Sequence, residues 1–252
     1  LAYHRVSDDR DESVSASIEN FSKQISFLIK HFSIIPLARL IESIENKEPL
    51  PLNPVVITFD DGYKDVFINA YPVLKKYNLP ATVFITTDYI EEKDLPYNPP
   101  LPYGERVGAC PRSIYRGVRG MSWDDIQEMA NNNILIGSHT ISHPALSNLS
   151  DDEIERELRE SKEIIEKHTG KEARLFSYPY GGRGFFDERV KEILKECGYR
   201  CGCSTIYGIN DFKSDLFELK RIPINYYENE TIFLIKLFGL LNPIARFMDR
   251  LL

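Results

Sequence analysis

The chain has 252 residues, of which 42% are hydrophobic and 27% charged, and its formal net charge is −7 at pH 7. These ordinary globular values exclude general disorder, collagen and coiled coil, and the acidic balance leads us to expect no nucleic-acid partner. Four cysteines are too few for a disulfide scaffold at this length, and no apolar run reaches the roughly 18 residues of a membrane-spanning helix.

Strand and helix patterns alternate along the chain. β-Branched or apolar runs of four to six residues predict buried strands, and apolar residues at helical spacing predict helices between them. Helix starts are marked by Ser17 as an N-cap and by Ser150 with Glu153 as a capping box. The predicted strands are 1–6, 33–36, 55–59, 81–86, 134–137, 175–178, 199–204 and 219–224.

This alternation predicts an α/β fold with a parallel sheet. Roughly seven or eight β-then-α units in one chain suggest a parallel barrel, complete or distorted, and an open doubly wound sheet is the alternative. Because no internal repeat and no linker divides the sequence, we expect one domain spanning residues 1–252.

Two segments interrupt the alternation. Residues 91–120 hold five of the fifteen prolines and four arginines without any helical or strand period, which predicts a long loop inserted over the cleft. Residues 229–252 predict a C-terminal helical segment packed on the domain, with peripheral membrane or partner contact as the alternative. The chain as given shows no signal peptide, so we expect a cytoplasmic protein unless the sequence is trimmed upstream.

Candidate catalytic groups follow four of the predicted strands. Asp60 and Asp61 follow one strand, His139 and His143 follow another, and His4 follows the first. A Pro-Tyr-Gly-Gly run follows a fourth strand. Because the carboxyl ends of the strands in a parallel barrel form one rim, these groups are expected to meet there.

Histidines and carboxylates in this arrangement predict a metal centre. Two histidines and one aspartate can hold a divalent ion and leave positions open for water. Pro144 disfavours helical geometry at His143, so the histidine pair belongs on a loop. One carboxylate of the Asp60–Asp61 pair would bind the metal and the other would accept a proton from water. A polar loop and a plain turn are the alternatives.

Three segments resemble the first three motifs of the polysaccharide deacetylases, carbohydrate esterase family 4, also called the NodB homology domain. They are residues 58–63 (TFDDGY), 138–144 (SHTISHP) and 176–181 (FSYPYG), in the order of that family. The resemblance implies a distorted (β/α) barrel. It also implies a metal-dependent hydrolase that removes N-acetyl groups from amino sugars of a poly- or oligosaccharide and releases acetate.

The resemblance also implies roles for individual residues. Asp61, His139 and His143 would bind one divalent metal ion, zinc first, with nickel, cobalt or iron as alternatives. Asp60 would be the general base, and the backbone N–H of Tyr180 would help to stabilise the tetrahedral oxyanion. The residues expected to bind substrate are Tyr178, Pro179, Gly181 and Arg221.

Two features of the family are missing from this sequence. The third motif often carries an arginine that orients the base; here Ser177 stands in its place, and Arg174 or Arg221 are the candidate substitutes. The family often has a C-terminal histidine as general acid, yet no histidine follows His168. A Tyr-His element similar to the start of this chain begins some extracellular-polysaccharide deacetylases of the family, so we expect His4 to act in the active site.

Two other functions stay open at this point. One keeps the metal centre but changes the substrate to a small cyclic amide or imide, because relatives of the family include such amidohydrolases. The other is a catalytically weak sugar-binding domain, which the missing arginine and histidine would suit. The expected partner is an acetylated carbohydrate in the first and third interpretations, and the sequence predicts no oligomeric state.

Overall fold

The computed structural model describes residues 1–8, 15–91, 118–225 and 228–239. Most of the predicted loop at 91–120 lies outside these ranges, and so does the end of the C-terminal segment. For residues 240–252, both the predicted helix and the alternative of membrane or partner contact therefore stay predictions. In the ranges that are described, no helix combines the length and apolarity that a membrane crossing requires.

Eleven short strands lie within the described residues. They are β1 (Ala2–Tyr3), β2 (Arg5–Val6), β3 (Ser15–Ala16), β4 (Ser33–Ile34), β5 (Pro54–Val55), β6 (Thr58–Phe59), β7 (Ala81–Ile85), β8 (Ile134–Ser138), β9 (Leu175–Ser177), β10 (Cys201–Tyr207) and β11 (Leu219–Arg221).

Seven of these strands form one parallel sheet in the order β1-β6-β7-β8-β9-β10-β11. The sheet nearly closes, because Ala2 in β1 bonds to the chain just after β11. Its N–H donates to the Ile222 carbonyl at 2.9 Å, and its carbonyl accepts from the Ile224 N–H at 2.9 Å. The structure therefore confirms the predicted parallel barrel and not the open doubly wound sheet.

Two predicted strands are each divided in the structure. The strand predicted at 1–6 is divided into β1 and β2. The strand predicted at 55–59 is divided into the end of β5, which lies outside the barrel sheet, and β6, which lies in it. β2 pairs with β3, and β4 pairs with β5, in two small parallel sheets beside the barrel. The apolar sequence is continuous, but each half pairs with a different strand, and periodicity alone does not report that change of partner.

Helices cover the outside of the barrel. They are α1 (Ile18–His31), α2 (Leu37–Asn46), α3 (Tyr71–Lys76), α4 (Trp123–Ala130), α5 (Asp151–Thr169), α6 (Glu188–Glu196) and α7 (Glu230–Leu237). Ser17 caps α1, and Ser150 with Glu153 forms the predicted capping box of α5. A π-helix at Val66–Ala70 directly precedes α3. Pro72, at the start of α3, has no N–H for α-helical bonding, which accounts for the wider turn before it.

Packed aromatic rings fix the first two strands of the barrel order. Tyr3 of β1 and Phe59 of β6 are fully buried and stack with ring centroids 5.4 Å apart, and Phe21 of α1 meets Tyr3 edge-on at 5.4 Å. Large buried aromatic side chains contribute much of the hydrophobic stabilisation of a core. Because His4 and Asp60 directly follow these rings in sequence, the core sets their position on the rim.

Candidate active site

The predicted catalytic residues meet at one rim of the barrel. Asp60 directly follows β6, and its backbone N–H donates to the Tyr3 carbonyl of β1 at 3.0 Å. His139 directly follows β8, and its N–H donates to the Ile85 carbonyl at the end of β7 at 2.9 Å. Arg221 ends β11. These ladder-like bonds continue the sheet up to the residues that carry the polar groups, so their backbone positions are fixed by the barrel itself.

A tight turn sends the two neighbouring carboxylates in different directions. Asp61 has a φ of 73° and Gly62 a φ of 88°, both in the left-handed region. The Gly62 N–H donates to the Asp60 carbonyl at 3.0 Å. A side chain at Gly62 would meet Ile85 and be strained by its φ, so glycine suits the turn. Asp60 consequently faces Arg221, whereas Asp61 faces the histidine loop.

Asp61 and the two histidines form a buried group with the spacing of metal ligands. Oδ1 of Asp61 lies 3.3 Å from Nε2 of His139 and 3.4 Å from Nε2 of His143. The three ligand atoms all lie within 4.8 Å of one another. Oδ1 is buried, and no described group forms a hydrogen bond with it. One carboxylate oxygen and two imidazole nitrogens are a donor set that suits zinc and similar divalent ions, so these residues fit a metal.

Hydrogen bonding orients the ring of His139 for this role. Its Nδ1 lies 2.7 Å from the Ser177 carbonyl, to which it donates as an N–H, so Nε2 is the ring nitrogen that faces Asp61 and would bind an ion. The ring of His143 packs edge-on against that of His139, with centroids 4.9 Å apart. Burial lowers the pKa of His143, which favours the neutral form that metal binding requires.

Arg221 holds the Asp60 carboxylate through a bidentate ion pair. Nη1 donates to Oδ1 at 2.8 Å and Nη2 donates to Oδ2 at 2.7 Å, and both side chains are at most 5% exposed. The Ser177 hydroxyl also donates to Oδ2, at 3.3 Å. This parallel geometry fixes the carboxylate more firmly than a single bond would.

The ion pair keeps Asp60 in its charged form. Burial by itself raises the pKa of the Asp60 carboxyl, but the charge and hydrogen bonds of Arg221, with His139 and His4 nearby, hold that pKa below its usual range. Asp60 is therefore ionised at neutral pH. Oδ1 accepts a single hydrogen bond from the described residues, and a carboxylate oxygen has two lone pairs, so it can still accept a proton.

The structure answers which arginine contacts the candidate base. Arg174 is exposed and pairs with Glu172 at 2.7 Å, away from the rim. Arg221 makes the contact with Asp60. The other hydrogen bonds of Arg221 also go to protein atoms. The structure therefore corrects the prediction that Arg221 binds substrate: its side chain is buried and holds the Asp60 carboxylate. The other bonds run from Nε to the Ser204 carbonyl at 2.7 Å, from Nη1 to Thr58 Oγ1 at 3.1 Å and from Nη2 to Ser177 Oγ at 2.9 Å.

The loop after β9 places Tyr180 beside the metal-site histidines. The rings of Tyr180 and His143 meet edge-on, with centroids 4.8 Å apart, and the Tyr180 carbonyl accepts a hydrogen bond from the Thr205 hydroxyl at 2.7 Å. A Cβ on Gly181 would lie 2.7 Å from the Thr205 nitrogen, so this position requires glycine. The Gly181 N–H donates to the carbonyl of buried Pro179 at 2.7 Å. Pro179 and Gly181 thus shape the backbone around Tyr180.

Tyr178 lies in the core and not in the cleft. Its side chain is 1% exposed, it stacks on Phe186 with centroids 4.0 Å apart, and its hydroxyl donates to the Phe217 carbonyl at 2.8 Å. The structure therefore corrects the expectation that this side chain binds substrate. The alternation of a strand explains it, because Phe176 and Tyr178 face the same buried cluster.

His4 lies next to Asp60 at the start of the barrel order. It is half-buried, and it lies between β1 and β2. Tyr3 of β1 pairs with Phe59 of β6, so His4 and Asp60 follow the same ends of two neighbouring strands. The position of His4 relative to the metal-site histidines and its role as an acid stay predictions.

Sequence reasoning missed the hydroxyl groups that complete the base network. Thr58 and Ser177 both bond to Arg221, and Ser177 also bonds to Asp60. For Ser177 the signal is its place in the third motif, where the family often carries an arginine. Thr58 also stands in the first motif, but a threonine in a buried strand is common and by itself indicates no role in the site.

The model of the polysaccharide deacetylase family matches residues 47–202 of this chain. The match covers more than half of the 252 residues and includes all three motifs, so the chain belongs to the polysaccharide deacetylase family. The predicted family and the predicted enzyme class, a carbohydrate N-deacetylase among the hydrolases, are confirmed.

Two bacterial proteins illustrate the likeness in sequence. YxkH of Bacillus subtilis (strain 168), which carries the name polysaccharide deacetylase, is 26% identical over 227 residues. These are 89% of this chain and 70% of YxkH. A poly-beta-1,6-N-acetyl-D-glucosamine N-deacetylase of Staphylococcus aureus (strain N315) is 25% identical over 224 residues, 81% of this chain and 70% of that protein. Neither name points to a cyclic amide or to sugar binding without turnover, so those two alternatives are not favoured.

Two solved structures show the same fold. Streptococcus pyogenes deacetylase PplD in complex with acetate superposes with a TM-score of 0.76 at 22% identity, over 94% of this chain and 96% of that one. IcaB from Ammonifex degensii gives a TM-score of 0.75 at 22% identity, over 95% of each chain. These matches support the nearly closed barrel described above.

Proposed function

We propose that this chain removes N-acetyl groups from a polymer of N-acetylglucosamine in a zinc-dependent hydrolysis that releases acetate. The observation that carries the proposal is the buried group of Asp61, His139 and His143 beside the Arg221-held carboxylate of Asp60. The nitrogen and oxygen donors suit zinc, with nickel, cobalt and iron as alternatives. The name of the Staphylococcus aureus relative supports a β-1,6-linked polymer as the first substrate to test.

In this proposal the residues of the chain divide the proton transfers between them. A bound zinc ion would supply a Lewis acid for the acetyl carbonyl and for water. Asp60 would accept a proton from the attacking water, and Arg221 would keep it ionised and aimed. The backbone N–H of Tyr180 would donate to the oxyanion as the carbonyl becomes tetrahedral. His4 would give a proton to the departing amine, since histidine is suited to that step near neutral pH.

The experiment that tests this function measures acetate release. Protein freed of metal with a chelator and reloaded with zinc is incubated with β-1,6-linked N-acetylglucosamine oligomers and, in parallel, with chitooligosaccharides. We expect acetate only from the reloaded protein, and almost none from the Asp60→Asn variant. Arg174→Ala is the matched control, because Arg174 is exposed and lies outside the rim.

A wider screen decides between failure of the substrate assignment and failure of the function. Acetate from another acetylated sugar would correct the polymer but keep the reaction. No acetate from any of these sugars, with zinc, nickel, cobalt or iron supplied in turn, would contradict an N-deacetylase.

A further inference from the structure

The loop that carries both metal-site histidines has an unusual backbone. Thr140 and His143 have φ angles of 70° and 61°, in the left-handed region. A β-branched residue such as threonine rarely adopts this conformation, and it persists where surrounding contacts fix it. The distance between the rings of His139 and His143 depends on this backbone, so contacts that hold the loop also hold the ligand geometry.

A buried carboxylate on α5, that of Glu157, accepts hydrogen bonds from the middle of this loop. Oε2 of Glu157 accepts hydrogen bonds from the backbone N–H groups of Ile141 at 2.8 Å and Ser142 at 3.1 Å. Oε1 accepts a bond from the Ser142 hydroxyl at 2.7 Å. Glu157 is 5% exposed, and no cation pairs with it in the part of the chain that the structure describes. Every described hydrogen bond of the Glu157 carboxylate therefore comes from Ile141 or Ser142.

The hydrogen bonds of Glu157 constrain the conformation of the histidine loop, which packing of α5 against the barrel alone would not do. A buried carboxylate is costly unless its oxygens are hydrogen-bonded, and here the loop provides all of the described donors. Two convergent backbone N–H groups also demand one particular loop conformation. By contrast, Glu155, Glu160 and Glu163 of the same helix are exposed. The barrel side of the loop is held separately, where the Thr87 and Asp88 N–H groups donate to loop carbonyls at 3.2 and 3.0 Å.

We propose that Glu157 is a positioning residue of the metal centre, which holds Ile141 and Ser142 so that His139 and His143 keep the separation and orientation that an ion requires. The inference rests on the proposed function, because it takes these histidines to be metal ligands. Partners of metal ligands outside the coordination sphere commonly raise metal affinity by fixing ligand orientation.

The test compares Glu157→Gln with Glu160→Gln, a matched loss of one charge on the exposed side of the same helix. Glutamine keeps the size of the side chain but loses the negative charge and one of the two accepting oxygens, so its hydrogen bonds to the loop are weaker. We expect zinc affinity, measured by chelator competition, to fall about 10- to 100-fold in Glu157→Gln and to stay native in Glu160→Gln. Equal zinc affinity in the two variants would overturn the proposal.

A second measurement needs no metal. Hydrogen exchange of the Ile141 and Ser142 amides in the metal-free protein should be faster in Glu157→Gln than in Glu160→Gln, while the amides of β8 keep their protection. If Glu157→Gln fails to fold, Ser142→Ala removes one donor and should give a smaller loss of zinc affinity.

The failures of the two proposals look different. If the proposed function fails, the unmodified chain binds no divalent metal or, with metal bound, releases no acetate from any of the sugars tested. If the inference about Glu157 alone fails, the unmodified chain and Glu157→Gln bind zinc equally well and exchange Ile141 and Ser142 at equal rates.

Discussion

Asp60 and Asp61 are neighbours in the chain, yet their surroundings differ in one decisive way. Both oxygens of the Asp60 carboxylate accept hydrogen bonds, because Arg221 and Ser177 supply three donors to them. On the side of Asp61, a buried oxygen and two ring nitrogens converge, and no described group forms a hydrogen bond with that oxygen. Buried polar atoms in proteins are nearly always satisfied, so the second surrounding fits a cation and the first does not require one.

The difference separates two functions within one turn. The charge state of Asp60 is set inside the protein by Arg221, whereas Asp61 and the histidines are suited to an exchangeable ion. Removing the metal should therefore leave the Asp60 side intact, and removing Asp60 should leave metal binding intact. The predictions below test that independence.

Loss of a metal ligand should have the largest effect. In His139→Ala or His143→Ala, two donors remain, too few to hold the ion, so we expect zinc binding to be lost or severely weakened and acetate release to fall to background. Metal content after loading and gel filtration measures this, and circular dichroism shows whether the fold is kept. Unchanged zinc content and affinity in both variants would refute the ligand assignment.

Replacing the candidate base should affect turnover and spare the metal. Asp60→Asn keeps the size of the side chain but removes the proton acceptor, so we expect kcat to fall by about two orders of magnitude or more. Zinc affinity should stay near native. Because Arg221 loses its counter-charge in a buried place, thermal unfolding must be measured alongside.

Two results would break the comparison between the carboxylates. Native activity of Asp60→Asn would remove the general-base role. Loss of zinc in Asp60→Asn, with zinc kept in Asp61→Asn, would mean that the two residues have exchanged roles.

Removing His4 should have a smaller effect, because it acts on the leaving group and not on the metal. We expect His4→Ala to lower kcat by up to about 100-fold, with little change in KM or zinc affinity. The limb of the pH–rate profile that reports a proton donor should disappear. A normal rate in this variant would show that another group or water protonates the amine.

The sequence predicted the parts of this site that are local in the chain. Asp60, Asp61, His139 and His143 stand in short motifs at strand ends, and a parallel barrel brings strand ends together whatever their spacing. It could not choose between Arg174 and Arg221. Arg174 is close to the third motif in sequence, but Arg221 lies 161 residues from Asp60 and reaches it only because the barrel nearly closes.

The errors arose where three-dimensional packing overrode adjacency. The motif, with Pro179 and Tyr180 directly after it, predicts Tyr178 in the substrate site, whereas strand alternation turns its ring into the core. Glu157 gave no signal, because it is one glutamate among several in a charged helix. Its burial depends on the approach of the histidine loop, which sequence periodicity does not describe.

The smallest predicted effect concerns the pH dependence set by Arg221. Arg221 lowers the pKa of Asp60, and activity requires the ionised carboxylate, so this pair sets the acidic limb of the kcat/KM profile. In Arg221→Lys the charge is kept, but the bidentate geometry and the bond to the Ser204 carbonyl are lost. Less stabilisation of the charged form means a higher pKa, so the acidic limb should move to higher pH.

The expected shift is below about one pH unit, because one pKa unit corresponds to roughly 1.4 kcal/mol and the lysine retains the charge. Turnover on the alkaline side of the limb should stay close to native, since Asp60 is ionised there in both proteins. Arg174→Lys is the control, and its exposed pair with Glu172 should leave the limb unmoved. An acidic limb that stays in place or moves to lower pH in Arg221→Lys would show that Arg221 does not set the charge of the base.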